Sequence, residues 1–293
     1  MKQRLPAHPD LARFQTTAQE RLAELRAADP AAQLEDAEQQ VAGDYGYPTW
    51  QALTAYVASL GPTGRPTVRP AHLPDLDAID AWPAFTPERP LKLLVSGCLA
   101  GLLVGVDGSS NGSYPHIRQL VALPNVDAVL FCPEDFSFGT PRATPDIHGG
   151  TGAEVLDGKA RVIASNGEDW TDGMIAAARE MLGRAQAHGA RLAVLMDISA
   201  ACGSQVIYRG SRSNAPHQIG QGVCAALLAR SGIPVVSQRD YLTLDRIMRR
   251  LDPDHESRSG LKDHHEIDWY RAYFGPPAIP ARQRTSPRGS RTP

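Results

Sequence analysis

No two cysteines of this chain stand as C-x-x-C, so neither a zinc ribbon nor a ferredoxin-type loop can be built from one local motif. No apolar run approaches the ~18 residues that read as a membrane span. The first residues, MKQRLPAHPDLARF, also lack the apolar core of a signal peptide. The formal net charge is only −2, which leaves no electrostatic footprint for a nucleic acid polymer or an anionic membrane. What these absences leave is a soluble globular protein, expected in the cytoplasm. With 293 residues, 42% of them hydrophobic and 21% charged, the chain is long enough for one good core and a small accessory domain.

The cysteines that are present number four: Cys98, Cys132, Cys202 and Cys224. In a reducing compartment they read as thiols, metal ligands or nucleophiles rather than disulfides, and any joint role must be assembled by the fold.

Composition divides the chain. Residues 1–60 are rich in Ala, Leu, Gln and Glu with apolar residues at helical spacing, broken at Asp29-Pro30 and at Gly46-Tyr47-Pro48, which predicts a small all-α module of about three helices. Trp50, Leu53 and Val57 fit one packed face, with docking of a protein partner as the functional alternative. The stretch 34–57 resembles a short helical module at the N-terminus of some ankyrin-repeat and other bacterial proteins. Residues 61–90 are proline-rich and read as an extended linker lying over the next domain. From 91 to 250, strand-like runs at 91–95, 127–131, 161–164, 191–196 and 233–236 alternate with helical stretches near 113–123, 171–188, 219–231 and 240–250. Such alternation predicts an α/β domain, a mostly parallel Rossmann-like sheet with helices on both faces. Residues 251–275 read as a polar helical extension. The tail 276–293, rich in proline and arginine and without an acid, reads as disordered.

Against that pattern the cysteines are not scattered. Cys98 lies just past the first strand in VSGCLAG, Cys132 ends the second in LFCPE, and Cys202 follows the fourth in VLMDISAACGSQ. Strand C-termini of a parallel sheet open on one edge, where such folds bind ligands, so the three thiols can converge on one point. Strand order is not visible in a sequence, and three unrelated small apolar residues remain the plain alternative. Cys224 sits inside the apolar helical stretch GVCAALLA and reads as a core residue.

The motifs SGCLAG (96–101) with VDG (106–108), FCPE (131–134) with TPR (140–142), and SAACGS (199–204) with VIY (206–208) and GQGV (220–223) occur in one family's order. Together they resemble the TudS-like thiouracil desulfidases over roughly residues 91–245. The resemblance implies a 4Fe-4S cluster held by Cys98, Cys132 and Cys202, its fourth iron open to the sulfur of a small thiolated substrate, with non-redox hydrolysis of the C–S bond. It implies Glu134 as general base and then proton donor, and Ser199 as a hydrogen-bonding partner of substrate or developing anion. Asp107, Thr140, Arg142 and Ser204 fall in the same motifs and are assigned to substrate binding. A loop-bracing role is the alternative for Thr140 and Arg142, and a turn for Asp107-Gly108.

The chain departs from the family where a second cysteine and an Arg-Tyr pair are usual: here stand Val104, Gly105 and Val106. Met196-Asp197 and Ser199-Ala200-Ala201 replace a usual Lys-Glu and Ser-Pro-Ser. Three rival readings stay open. One is a non-catalytic iron–sulfur or zinc protein closed by Cys224 or a histidine. Another is a cysteine hydrolase with Cys132 as nucleophile and His116, His148 or His217 as base. A dinucleotide binder is the weakest, because VDGSSNGS lacks G-x-G-x-x-G spacing. His264-His265-Glu266 with Asp263 has a metal-like look, but reads as a polar helix surface.

Overall fold

A computed structural model describes residues 11–59, 69–110, 114–210 and 216–274. It divides into two compact units, residues 1–67 with 268–293, and residues 68–267. The first unit contains α1 (Leu11–Ala28), α2 (Leu34–Asp44) and α3 (Trp50–Ser59). Helix-favouring residues fill all three, and Gly46, at φ 82°, makes the turn that separates α2 from α3. Phe14, Ala18, Val41, Ala42 and Leu53 form the core, with Trp50 packed against it and Phe14 edge-on to Tyr45 at 5.1 Å. The expected face of Trp50 and Leu53 is therefore the packed one; the side chain of Val57 lies outside the described residues.

In the second unit α4 (Leu76–Asp80) comes first, its N-terminus capped by the Asp75 carboxylate accepting from the amides of Asp77 and Ala78. There follow β1 (Leu91–Ser96), α5 (Pro115–Ala122), β2 (Val126–Phe131), α6 (Pro133–Phe138), β3 (Pro145–His148), α7 (Gly152–Leu156), β4 (Arg161–Ala164) and α8 (Thr171–His188). Then come β5 (Leu192–Leu195), β6 (Val206–Tyr208), β7 (His217–Ile219), α9 (Val223–Arg230), β8 (Val235–Ser237) and α10 (Tyr241–Leu251). Strands β2, β1, β5 and β8 form, in that order, a four-stranded sheet in which every neighbouring pair is parallel.

Side-chain alternation along these strands builds two cores. Leu91, Leu93, Val95, Leu192, Val194 and Val236 meet Ile117 and Leu120 of α5 and Leu244, Ile247 and Leu251 of α10. Leu94, Ala193, Leu195 and Val235 meet Met174, Ala178 and Met181 of α8 and Cys224 and Leu228 of α9 on the other face. Strands buried on both sides need apolar residues at successive positions, which is why β1 and β5 are near-continuous apolar runs. The α/β expectation, with helices on both faces of a parallel sheet, holds.

Some expected elements differ. The run 161–164 is a strand, but it pairs antiparallel with β3 outside the main sheet. Its burial alternates, with Arg161 exposed, whereas β5 is buried at every position; alternation marks a half-exposed hairpin strand. Within the proline-rich stretch, residues 69–90 include α4 and place Leu73, Ile79 and Trp82 in the α5/α10-side core. Val235 donates its amide to the His72 carbonyl at 3.0 Å. The expected polar helical extension is largely not helical. α10 ends just before Asp252-Pro253, and His264–Glu266 form a 3-10 turn with His264 and His265 buried, which corrects the reading of these histidines as helix surface. α11 (Asp268–Phe274) belongs to the first unit. The tail 276–293 lies outside the described residues. Among the described residues no helix is long and apolar enough to cross a membrane.

Candidate functional site

The strand order decides whether the thiols meet. β1 lies between β2 and β5, so the residues following these strands emerge side by side on one sheet edge. Cys98 sits in the 3-10 turn Gly97–Ala100 after β1, Cys132 directly after β2, and Cys202 in the loop after β5. All three line one cavity of about 410 Å³, together with Glu134, Arg142 and Ser199. A larger groove of about 700 Å³, between α5, α10 and residues 255–261, holds no cysteine.

Local sequence explains each placement. Cys132 is the N-cap of α6: its Sγ accepts the Asp135 amide at 3.4 Å, Pro133 fills the first helical position, and Glu134 and Asp135 supply first-turn acids. The helix start thereby turns Glu134 into the cavity wall. Arg142 holds one carboxylate oxygen from Nη2 at 3.0 Å and Nε at 3.2 Å, with its own side chain only 3% exposed. Ser199 donates from Oγ to the other oxygen at 3.2 Å, while the same Oγ accepts the amides of Ala201 and Cys202 at 3.2 and 3.1 Å. One serine thus orients both the carboxylate and the turn carrying Cys202.

Beneath this turn lies Asp197, fully buried. Its Oδ1 accepts four backbone amides, from Ile198, Ser204, Gln205 and Val206, at 2.9–3.2 Å. Burial works to raise its pKa, but the His264 bond and charge and the loop amides outweigh it, so the carboxyl stays below its ordinary range. Ser96 connects the same region, its Oγ accepting the Met196 amide at 3.1 Å.

The thiols are pushed the other way. Burial raises Cys132; the Asp135 amide opposes this and the Glu134 charge adds to it. Burial drives Cys202 well above the ordinary thiol range, and Cys224, Cys132 and Cys98 add to the effect. Both thiols are therefore harder to ionise than a free cysteine.

The other sequence-predicted residues divide between wall and frame. Asp107 lines the cavity, but its Oδ1 accepts the amide and hydroxyl of Ser109 at 2.9 and 2.6 Å, beside Gly108 at φ 81°, and so caps a turn. Thr140 is off the cavity wall; it donates to Asp135 and accepts from Arg142 Nη1, bracing the guanidinium. Ser204 is fully buried and also off the wall, its amide serving Asp197. Thr140 and Ser204, expected at the substrate, thus stand behind the cavity wall, where their bonds brace Arg142 and Asp197. Sequence reasoning missed Ser96 and the weight of Asp197, which had figured only as a departure from a motif; the run of buried strand ending on a polar residue was the available signal.

Among the described residues the cavity wall carries no histidine and no fourth cysteine. His116 bonds the Gln238 carbonyl and His217 packs its ring on Tyr208, and none of His116, His148 and His217 is on the cavity wall that carries Cys132. Cys224 is buried in the α8/α9-side core. Among the described residues the one set of potential metal ligands lying within 4.8 Å of one another is Asp240, Asp263 and His265, none of which lines this cavity. Three cysteine sulfurs on one wall suit a thiophilic metal or cluster.

Comparison with known proteins gives three matches. A sequence model of the family described as 2-thiouracil desulfurase matches residues 93–240. A protein of Bacillus subtilis (strain 168), "Uncharacterized protein YbbK", is 39% identical over 149 residues, which cover 50% of this chain and 96% of that protein. A solved structure described as a 4Fe-4S-dependent thiouracil desulfidase, TudS, is similar at 34% identity and TM-score 0.41, over 50% of this chain and 89% of the other.

Proposed function

The chain belongs to the 2-thiouracil desulfurase family, and from that premise we propose that it hydrolyses the C=S bond of a thiolated nucleobase or related thiocarbonyl compound. The residues that would hold a 4Fe-4S cluster are Cys98, Cys132 and Cys202. When bound, such a cluster supplies an iron with a position free for a sulfur donor, which polarises the C=S bond. The reaction balances without electrons: thiocarbonyl plus water yields carbonyl plus hydrogen sulfide.

Glu134 takes a proton from the water that attacks the carbon, then returns it to the departing sulfur. Arg142 and Ser199 fix the two carboxylate oxygens separately, so the base enters the reaction already oriented. The Ser199 hydroxyl is within reach of a substrate heteroatom once Glu134 turns to water. The observation carrying this reading is the convergence, in one cavity, of three thiols, with no fourth cysteine among the described residues of its wall, and a carboxylate held by two partners.

The test is anaerobic purification followed by iron analysis and incubation with 2-thiouracil and a panel of thioamides and thionucleobases. About four irons per chain are expected, lost in Cys98→Ser, Cys132→Ser or Cys202→Ser and kept in Cys224→Ser, with sulfide and carbonyl product formed in equal amounts. Iron loss in Cys224→Ser would refute the three-ligand assignment. An intact cluster with no sulfide from any compound would favour a non-catalytic iron–sulfur protein.

A further inference from the structure

We propose that His264, from the segment beyond the family-matched residues 93–240, is a positioning residue that shapes the Ser199–Cys202 turn through Asp197. His264 Nδ1 lies 2.5 Å from Asp197 Oδ2, and both side chains are fully buried. A carboxylate oxygen can only accept, so Nδ1 carries the proton. The opposite oxygen of Asp197 gathers four amides of the 198–206 loop. Those bonds curl the loop back on itself and sustain Ile198 at φ 58°, a left-handed backbone that a β-branched residue rarely adopts. Within that curl Ser199 Oγ caps the Cys202 amide and reaches Glu134.

His264 is itself held. Its amide donates to Asp240 Oδ1 at 3.0 Å, and the same oxygen accepts Gln205 Nε2 at 2.6 Å, tying the loop to the 3-10 turn a second time. The preceding Asp263 is anchored by Arg69 at 2.5 Å and by Thr243. A rigid imidazole thus fixes the azimuth of Asp197, and Asp197 fixes the loop. Losing the Nδ1 donor would leave a buried carboxylate oxygen without its partner and loosen the ring of amides.

The positioning claim needs no turnover; only its catalytic consequence rests on the desulfidase reading. The experiment compares His264→Asn, whose side-chain amide keeps a donor near the Nδ1 position, with His264→Gln, which carries it out toward the Nε2 position. Amide hydrogen exchange in the full chain should be at least about tenfold faster at residues 198 and 204–206 in the Gln variant, relative to Leu94 and Val194 in the sheet. The Asn variant should stay within about threefold of wild type. In iron-loaded protein the Gln variant should show kcat on 2-thiouracil lowered about tenfold at retained iron content, and the Asn variant should largely restore it. Equal exchange in the two variants would overturn the positioning role. Fast exchange with undiminished kcat would overturn its catalytic consequence. A wild type that releases no sulfide would sink the desulfidase reading, while the exchange comparison would still decide the role of His264.

Discussion

Glu134 is held like a part of the frame, yet it faces the cavity with only its hydrogen-bonding edges engaged. Glu134→Gln keeps the size and removes the base, so sulfide release should fall roughly 10²–10⁴-fold while iron content is unchanged. Ser199→Ala should cost less, roughly 10²–10³-fold, because it removes one hydroxyl from a site whose base remains. The split between the two variants, measured as kcat on the same iron-loaded preparations, checks the assignment of roles. Cys98, Cys132, Cys202, Glu134 and Ser199, to which the strand-end pattern and the ordered motifs both pointed, line one cavity in the structure. Ser204 and Thr140 stand off its wall, because motif membership does not say which way a side chain points. Their hydroxyl-bearing turns serve the backbone instead.

The parallel strands were the most legible elements, since burial on both faces leaves continuous apolar runs. Three short strands, β3, β6 and β7, and helices α6 and α7 escaped notice, being three to six residues each and too short to show a period. The GQGV stretch has a role that only the structure discloses. The first amides of α9, Val223 and Cys224, donate to the Ala200 and Ala201 carbonyls at 2.9 Å, which seats the helix on the loop bearing Cys202. A Cβ at Gly222 would stand 2.6 Å from the Ala201 carbonyl group, against backbone that cannot rotate away. Gly222→Ala should therefore destabilise the protein by roughly 1–3 kcal/mol. It should also reduce iron retention, checked by urea denaturation beside iron analysis of the anaerobic protein. Wild-type stability and full iron would show that the helix–loop contact is softer than the close approach requires.

At the scale of the whole molecule, buried titratable groups set how stability follows pH. Burial and the Asp263 charge raise Asp240 to about 8, so the native state holds a proton that the unfolded chain releases above its ordinary 3.8; this contribution is lost as pH rises toward 8. Burial lowers His72 to about 4, so its contribution is lost as pH falls from 6.5 to about 4. The two oppose one another below pH 6.5, and above it Asp240 acts alone. The unfolding free energy from urea denaturation should decline from pH 6.5 to 8, with a slope of at most roughly 1.4 kcal/mol per pH unit. Asp240→Asn should flatten that decline whatever it does to absolute stability; an unchanged slope would remove Asp240 as its source. Neither group was legible in the sequence, because half-buried His72 lies in the segment 69–90 and buried Asp240 is covered by His264 of the segment 252–266, which read there as linker and polar extension. Composition separated a helical stretch from an α/β stretch, while the structure divides at other bounds, residues 1–67 with 268–293 and residues 68–267, and the second unit carries the three thiols of the cavity. The most direct measurement on the intact chain is sulfide release from 2-thiouracil, or from the best thiocarbonyl of the panel, by wild type and Glu134→Gln matched for iron. A wild type that yields equimolar sulfide and carbonyl product beside a variant at least about a hundredfold slower is the expected result; equal rates in the two proteins would contradict the account.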